Sequence, residues 1–337
     1  TAGIEFNQDK LEDNMWGYHR TVDQKVNIGS AFFQNEWKNE HWGFLIGGRL
    51  DKHNLIDHVL FSPRANLRYN PAENINLRFS YSSGFRAPQA FDEDLHVENV
   101  GGNVAMVELA DNLKEERSQS LSASADIYHR FGAFQVNFLV EGFYTKLSDV
   151  FALTDGEVVD GILTRTRYNA PGARVMGLTL EGKMAYLTKF QLQAGVTLQQ
   201  SHYSEPHVWN PDAPAVKKMM RTPNTYGYFT ATYTPIKPLS IALSGTYTGS
   251  MLVPHEPVPG FLENPITVNT KDFFDIGLKA AYDFKLYKSM NLQVNAGVQN
   301  IFNAYQNDFD KGADRDSGYI YGPSLPRSFF AGVKISY

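Results

Sequence analysis

Histidine and aromatic side chains occur together in the polar segments of the chain. His207 lies close to Tyr203 and Trp209, and His255 lies in a later segment of similar character. A neutral imidazole is a suitable ligand for iron, and flat rings can hold a planar or aromatic molecule. The pattern therefore predicts ligand contacts at Tyr203, His207, Trp209 and His255. Polar loops also carry such side chains when they bind nothing, so ordinary loop polarity is the alternative interpretation.

Four acids near the end of the chain form a second group with possible chemistry. These acids are Asp308, Asp310, Asp314 and Asp316, and they are close enough in sequence to suggest a calcium-binding site. Their spacing misses the twelve-residue calcium-loop pattern, which also requires a distal Glu. We therefore expect these carboxylates to be solvated or to hold their own loop together.

No pattern argues for an enzyme or for a bound cofactor. The chain has no Cys, which excludes a cysteine nucleophile, a thiolate zinc site and a disulfide scaffold. Its glycines do not form a phosphate-binding loop that opens a helix, and no Ser, His and Asp stand in the order of a catalytic triad. The net charge of −5 gives no basic surface for nucleic acid.

β-Strands are the elements that must position these residues. Apolar and polar residues alternate from Phe190 to Gln199 and again from Met290 to Gln299, which is the period of a strand with one apolar and one polar face. Helical spacing is not sustained anywhere. The alternation predicts about fourteen strands, near residues 1–7, 25–37, 42–50, 58–70, 74–84, 118–130, 134–147, 173–187, 190–200, 224–234, 239–249, 273–285, 290–302 and 327–337.

The connections between these strands alternate strictly between short and long. Short turns are predicted near 38–41, 70–73, 130–133, 187–189, 234–238 and 285–289, and longer polar segments at 51–57, 85–117, 148–172, 201–223, 250–272 and 303–326. Hairpins that run up and down through a membrane produce this alternation, with short turns on one side. The sequence therefore predicts an all-antiparallel sheet whose neighbouring strands follow chain order, with no helix longer than a turn or two.

Composition supports a transmembrane β-barrel over a helical membrane protein. No apolar run approaches the ~18 residues of a spanning helix. The mean hydropathy of −0.35 suits a barrel, because only every second residue of a barrel strand meets lipid. Many of the strands reach the ~9–11 residues that cross a bilayer at a tilt. Their polar faces would line the lumen, and aromatic residues near the strand ends would form interfacial girdles.

Several motifs in the predicted strands and their connections resemble one family. The segments GFRAPQAFDEDLH (84–96) and DNLKEERSQSLSAS (111–124) are similar to two consecutive boxes of TonB-dependent outer-membrane receptors. Further similar stretches are 61–71, 168–182, 298–306 and the closing strand with its C-terminal aromatic residue. Segments 245–257 and 308–323 look most like receptors of Bacteroidetes-type bacteria. The second box departs from the family pattern at Ala110, Asp111 and Glu115.

The resemblance implies a 22-stranded barrel with an N-terminal plug domain that carries a TonB box. Such receptors import scarce, bulky nutrients with energy from the inner membrane. Residues 1–337 would then be the C-terminal barrel portion, about fourteen strands with long extracellular loops and short periplasmic turns, and the plug would be absent from this chain. The start at Thr1 suggests either a processed chain or a piece of a longer one.

The resemblance also implies a cargo and partners. We expect uptake of an iron complex, either a ferric siderophore or heme, with cobalamin as the alternative cargo. Heme receptors of this family place an axial ligand where His96 stands, beside Asp92 and Asp94, although a solvated loop histidine is the alternative. Expected partners are outer-membrane lipid, the TonB complex through the plug and a surface lipoprotein. A passive channel, and a barrel that displays an enzyme or adhesive loops, are the competing functions.

Overall fold

A computed structural model describes residues 1–95, 97–100, 103–287, 289–323 and 325–337. Helical structure within these ranges is limited to two short 3-10 helices, Trp16–Tyr18 and Asp92–Leu95. None of the described helices is long and apolar enough to span a membrane.

The described residues form nineteen strands. In chain order they are β1 (Ala2–Met15), β2 (Arg20–Lys38), β3 (Trp42–His53), β4 (Leu60–Ala72), β5 (Ile75–Arg86), β6 (Glu98–Val100), β7 (Asn103–Leu109), β8 (Glu116–Phe131), β9 (Phe134–Val159), β10 (Ile162–Tyr186), β11 (Phe190–His207), β12 (Val216–Lys218), β13 (Thr225–Ile236), β14 (Leu239–Thr248), β15 (Leu252–His255), β16 (Ile266–Asn269), β17 (Phe273–Tyr287), β18 (Met290–Gln299) and β19 (Ser328–Ser336).

The fourteen predicted strands correspond one to one to the long strands of a single antiparallel sheet. β1 to β5 pair in succession, β5 then pairs with β8, and the order continues through β9, β10, β11, β13, β14, β17, β18 and β19. The predicted fold class and strand order are confirmed. Within the described ranges, β1 pairs only with β2, and β19 pairs only with β18.

One pairing contradicts the prediction that every strand pair is antiparallel. β7 lies parallel to the first residues of β10, from Val104 opposite Ile162 to Leu109 opposite Arg167. A parallel pair needs a long crossover between its strands, and the hairpin from β8 to β9 supplies one. Alternation within the long strands carries no information about this short partner, which comes from a segment that the sequence analysis treated as loop.

The register confirms the two faces that the alternation predicted. Leu178 of β10 lies opposite Leu198 of β11, and the next pair along is Thr179 with Thr197, whose hydroxyls are 3.0 Å apart. Residues directly opposite each other in an antiparallel pair share a face. The apolar face is exposed, with Leu198 at 49% of its full accessibility, whereas polar side chains bond to one another on the other face.

The end of the sheet with the long connections holds most of the tightly buried side chains. Small apolar clusters lie there, such as Met251, Val253 and Tyr319, and the fully buried side chains include His53 and Asp94. The prediction of a long polar connection at 148–172 is wrong, because β9 continues to Val159 and β10 starts at Ile162. Likewise, β1 extends to Met15, well past the predicted strand at 1–7. We call the end of the sheet that carries the long connections the loop end.

Candidate functional site at the loop end

Seven separate stretches of chain meet at the loop end and enclose a cavity of about 410 Å³. We call it the loop-end pocket. Its lining combines cationic, aromatic and acidic side chains: Arg86, Phe151, Ala152, Leu153, Arg165, Arg167, Tyr203, His207, Trp209, Met220, Arg221, Pro254, Glu256, Asp316 and Gly318. Arginines outnumber carboxylates by four to two among the lining side chains of this partly enclosed space. Such a space concentrates anions.

Strand geometry places the arginines in the pocket. Arg165 and Arg167 are two residues apart on β10, so both project to the same side of the strand. Arg86 is the last residue of β5, and its guanidinium carbon lies 4.0 Å from the centre of the Phe91 ring. Arg221 stands between β12 and β13 with a left-handed backbone at φ 55°. Its two terminal nitrogens donate to the carbonyl oxygens of Ile320 and Gly318, at 2.8 and 2.5 Å.

Arg167 is held from behind by Asp94. The guanidinium contacts both carboxylate oxygens at 2.6 and 2.7 Å, and both side chains are buried. The same carboxylate accepts the backbone N–H of Phe91 at 2.8 Å, and Arg20 donates to the carbonyl oxygen of Asp94 at 3.0 Å. Asp94 therefore fixes an arginine of the pocket wall and does not itself line the cavity.

Arg165 and Glu256 join β10 to the segment after β15. Arg165 contacts Glu256 Oε1 at 3.1 Å, and the side-chain amide of Asn210 donates to Glu256 Oε2 at 2.8 Å. The backbone N–H of Glu256 donates to Asp316 at 2.9 Å, which brings in the loop between β18 and β19. These bonds connect four segments around the mouth of the pocket and restrain their relative positions.

The opposite wall is aromatic. Tyr203 and His207 lie on β11, and their ring centres are 4.9 Å apart. Burial raises the pKa of the Tyr203 phenol and lowers the pKa of the His207 imidazole, so the neutral form of each is favoured. Trp209 is the second residue after the end of β11 and is buried. Three of the predicted contact residues therefore lie side by side in one pocket.

His255 lies just outside the pocket lining, between two residues that belong to it. Its Nε2 is 2.9 Å from Asp310 Oδ2, and its ring stacks on Tyr319 with the centres 3.7 Å apart. Both members of the His255–Asp310 pair are buried. His255 thus joins the β15–β16 hairpin to the loop that precedes β19, and we call this contact the histidine latch.

The acidic segment holds its own loop together, as the sequence analysis favoured. Tyr321 donates to Asp308, Gly318 N–H donates to Asp316, and Asp316 N–H donates to Asp310. Burial, followed by the interactions with Asp308, raises the pKa of the Tyr321 phenol, which therefore stays a donor. Among the described residues, no group of three or more His, Asp or Glu side chains is placed to hold a metal ion.

Two of the predicted ligand residues have no described side chain. His96 lies outside the described residues, and Asp92 is described only as part of the short helix Asp92–Leu95.

Glu115, one of the positions that depart from the family pattern, contacts Arg117 at 2.7 Å and His58 at 3.1 Å. Burial opposes ionisation of Glu115, but bonds from Arg117 and the backbone, together with the charge of Arg117 and His58, lower its pKa overall.

The sequence analysis missed Arg165, Arg167, Arg221 and Glu256 as pocket residues. A signal for the first two was present in ILTRTRYN (162–169), where arginines alternate with threonines as they do on one side of a strand. Arg221 and Glu256 gave no such signal, because contacts made by separate loops bring them to the pocket.

Comparison with known families assigns this architecture to one class. Residues 2–301 match the family model described as "TonB dependent receptor-like, beta-barrel". The chain belongs to that family, as its motifs indicated. A comparison with curated proteins finds no match.

Solved structures with a similar fold include three iron-complex receptors. The ferric enterobactin receptor of Pseudomonas aeruginosa is 17% identical, with a TM-score of 0.67 over 98% of this chain and 50% of that one. A siderophore receptor of Acinetobacter baumannii is 15% identical, with a TM-score of 0.69 over 98% and 51%. The ferric-catecholate import receptor Fiu of E. coli is 16% identical, with a TM-score of 0.64 over 94% and 45%. The chain spans about half the length of these structures, and the likeness shows the fold.

Proposed function

We propose that this chain forms part of an outer-membrane receptor that takes up an anionic iron complex, most specifically a ferric siderophore, with energy delivered through TonB. One observation carries the proposal: four arginines and three aromatic side chains surround a single cavity at the loop end. Guanidinium groups bind anionic oxygens, and aromatic faces pack against flat ligand rings. The family membership and the siderophore receptors of similar fold support the same class of cargo.

The proposed contacts divide between the two walls of the pocket. Arg86, Arg165 and Arg221 provide positive charge toward the bound anion. Tyr203 and Trp209 pack against its ligand rings, and neutral His207 donates or accepts one hydrogen bond. The outer edges of β1 and β19, which pair with no other described strand, support the further proposal that residues 1–337 are the C-terminal part of the barrel, completed by strands and a plug elsewhere in the protein.

Arg221 gives the sharpest test of the proposed binding site. Its guanidinium donates to two carbonyl oxygens and makes no ion pair with a described carboxylate, so its charge is available to a ligand. We expect Arg221→Gln in the full-length protein to weaken binding of a trianionic ferric catecholate by about tenfold or more, since hydrogen bonds to charged groups contribute about 1.5–3 kcal/mol.

Arg315→Gln is the matched control, because Arg315 lies on the same loop end, donates to one carbonyl oxygen and does not line the pocket. Equal affinity of both variants and the parent protein, measured by intrinsic fluorescence quenching, would contradict the arginine site. Failure of the parent protein to bind any anionic ferric complex would contradict the proposed function itself.

Heme is the second candidate cargo, favoured by the neutral imidazole of His207 in the pocket wall. A neutral imidazole ligates iron. If heme is the cargo, His207→Ala or His96→Ala in the full-length receptor will shift the Soret absorption of the bound complex. An unchanged spectrum in both variants would exclude these two histidines as ligands.

A further inference from the structure

A row of basic side chains crosses four neighbouring strands on the apolar side of the sheet. Lys146 of β9 lies opposite Arg174 of β10, Arg174 lies opposite His202 of β11, and His202 lies opposite Lys218 of β12. Paired residues share a face, so all four project to the same side as Tyr144 and the other outward residues of β9. We call these four residues the basic row.

Nothing in the described structure neutralises the basic row. None of the four residues takes part in an ion pair or side-chain hydrogen bond with another described residue, whereas other cations of the loop end do. Lys146 and Arg174 are exposed. The next residue along the row is the neutral Gln119, which pairs with Lys146. Like charges placed opposite each other destabilise a sheet, and an anion that binds the row would relieve this repulsion.

The distance of the basic row from the short turns places it at the level of a membrane surface. Outward residues of β10 below Arg174 run from Tyr186 at the short turn to Met176. The ten residue-to-residue steps, at about 3.3 Å each and tilted by about 40°, span roughly 25 Å vertically, the height of the apolar band of an outer-membrane barrel. Arg174 is the next outward residue, so the row stands where apolar lipid chains give way to headgroups.

A groove lies in the apolar band directly below the row. It has a volume of about 870 Å³, and its outward lining includes Leu121, Ala123, Gly142, Tyr144, Met176 and Leu178. The groove is open at Gly142, where an added Cβ would meet no atom within 4 Å. The larger side chains around Gly142 form the walls of the groove. The paired residues Tyr144 and Met176 lie between Gly142 and the basic row.

We propose that the basic row and the groove together bind one phosphate-bearing membrane lipid. The phosphate would lie on Lys146, Arg174 and Lys218, and one acyl chain would occupy the groove below. The inference rests on the proposed membrane-spanning role of the sheet but does not depend on the loop-end pocket, which opens elsewhere. The observed charge complements an anionic headgroup, and a soluble anion would have no use for an apolar groove beneath it.

The test uses the full-length protein in mild detergent, with bound lipid measured by native mass spectrometry. Phosphatidylglycerol and phosphatidylcholine with identical chains are the two probes. Each Lys or Arg near an anionic lipid changes binding by about fivefold, so neutralising three should reduce phosphatidylglycerol binding on the order of 100-fold at low salt. The row variant is Lys146→Gln/Arg174→Gln/Lys218→Gln. The control, Lys114→Gln/Lys237→Gln/Lys271→Gln, loses the same charge away from the row and should bind like the parent.

A second pair of variants tests the groove. Gly142→Leu fills it and should reduce binding of both lipids, whereas Gly182→Leu, at an equally open outward glycine nearer the short turn, should not. Equal phosphatidylglycerol binding by the row variant and its control would overturn the proposal. So would unchanged lipid binding by Gly142→Leu combined with displacement of lipid by inorganic phosphate, which would indicate an anion site only. A parent protein that enters vesicles of neither lipid would instead contradict the membrane-spanning role.

Discussion

Removal of the negative charge of Asp94 should loosen the segment that carries it. The side chains of Asp94 and Arg167 are 2% and 7% exposed and touch through contacts of 2.6 and 2.7 Å. Breaking a buried ion pair by removing the charge of one partner costs about 3–5 kcal/mol. Asp94→Asn keeps the shape and one acceptor for Phe91 N–H, so we take the lower value of about 3 kcal/mol. Local opening should then rise roughly 100-fold, since each 1.4 kcal/mol is tenfold.

Limited proteolysis of segment 85–115 in the full-length protein measures this opening, because cleavage follows the open population when closing is fast. The conservative control is Glu108→Gln, which removes one exposed charge from β7 of the same region. The double variant Asp94→Leu/Arg167→Met removes both charges and should recover most of the lost protection. The reasoning is refuted if Asp94→Asn is cleaved within about twofold of the parent, or if the double variant opens as much as the two single changes combined.

Three further outcomes follow from the two faces of the sheet and from the loop-end histidines. Ala194→Arg on the apolar face should cost about 2–4 kcal/mol of folding free energy in vesicles, whereas Gln193→Arg on the polar face should be mild. Burial lowers the pKa of His207, so its contribution to loop-end stability is complete above its ordinary value near 6.5 and declines as the pH falls below it. His207→Gln should flatten this dependence in thermal unfolding. His255→Phe keeps a ring but removes the bond to Asp310, and proteolysis of loop 303–326 should increase by about fivefold or more.

Each outcome has a result that contradicts it. Equal folding energies for the two arginine variants would reverse the assignment of the faces. A parent protein whose loop-end stability is constant from about pH 7 to 5 would contradict the depressed pKa of His207. Unchanged cleavage in the His255 variant would show that the Tyr319 stack alone holds the loop, and His255→Ala then separates the two contributions.

The period-2 alternation was sufficient to predict the fourteen long strands of the sheet. In segments such as 190–200, every second residue is apolar, and a slip of one residue would turn all of them to the wrong face. That constraint specifies both the strand and its register. The order of the fourteen strands followed from the alternation of short and long connections, which is typical of consecutive hairpins.

The extension of β9 and β10 was hidden by residues that normally mark turns. Asp155–Gly156 and Pro171–Gly172 look like loop chemistry, yet both lie inside long strands. Gly172 adopts φ 143°, and the pairing shifts register between Leu163 and Arg165, so irregularities absorb these residues within the ladder. Sequence alternation alone does not distinguish such an irregularity from the end of a strand.

The candidate site was predicted on one wall only. Tyr203, His207 and Trp209 are close in sequence, so their proximity in space follows from one strand end. The cationic wall combines β5, β10 and the segment before β13, and it depends on partners such as Asp94, more than seventy residues from Arg167. Contacts of that sequence separation are set by tertiary structure, which no local pattern reports.

Uptake of an anionic iron complex into cells that carry the full-length protein tests the central claim most directly. Cells that depend on this receptor are given radioactive iron as a ferric catecholate, with and without a proton-motive-force uncoupler. We predict saturable uptake that stops with the uncoupler and falls when Arg221→Gln replaces the parent residue, but not with Arg315→Gln. Uptake that continues without energy would indicate a passive channel, and no receptor-dependent uptake of the anionic complex would contradict the proposed function.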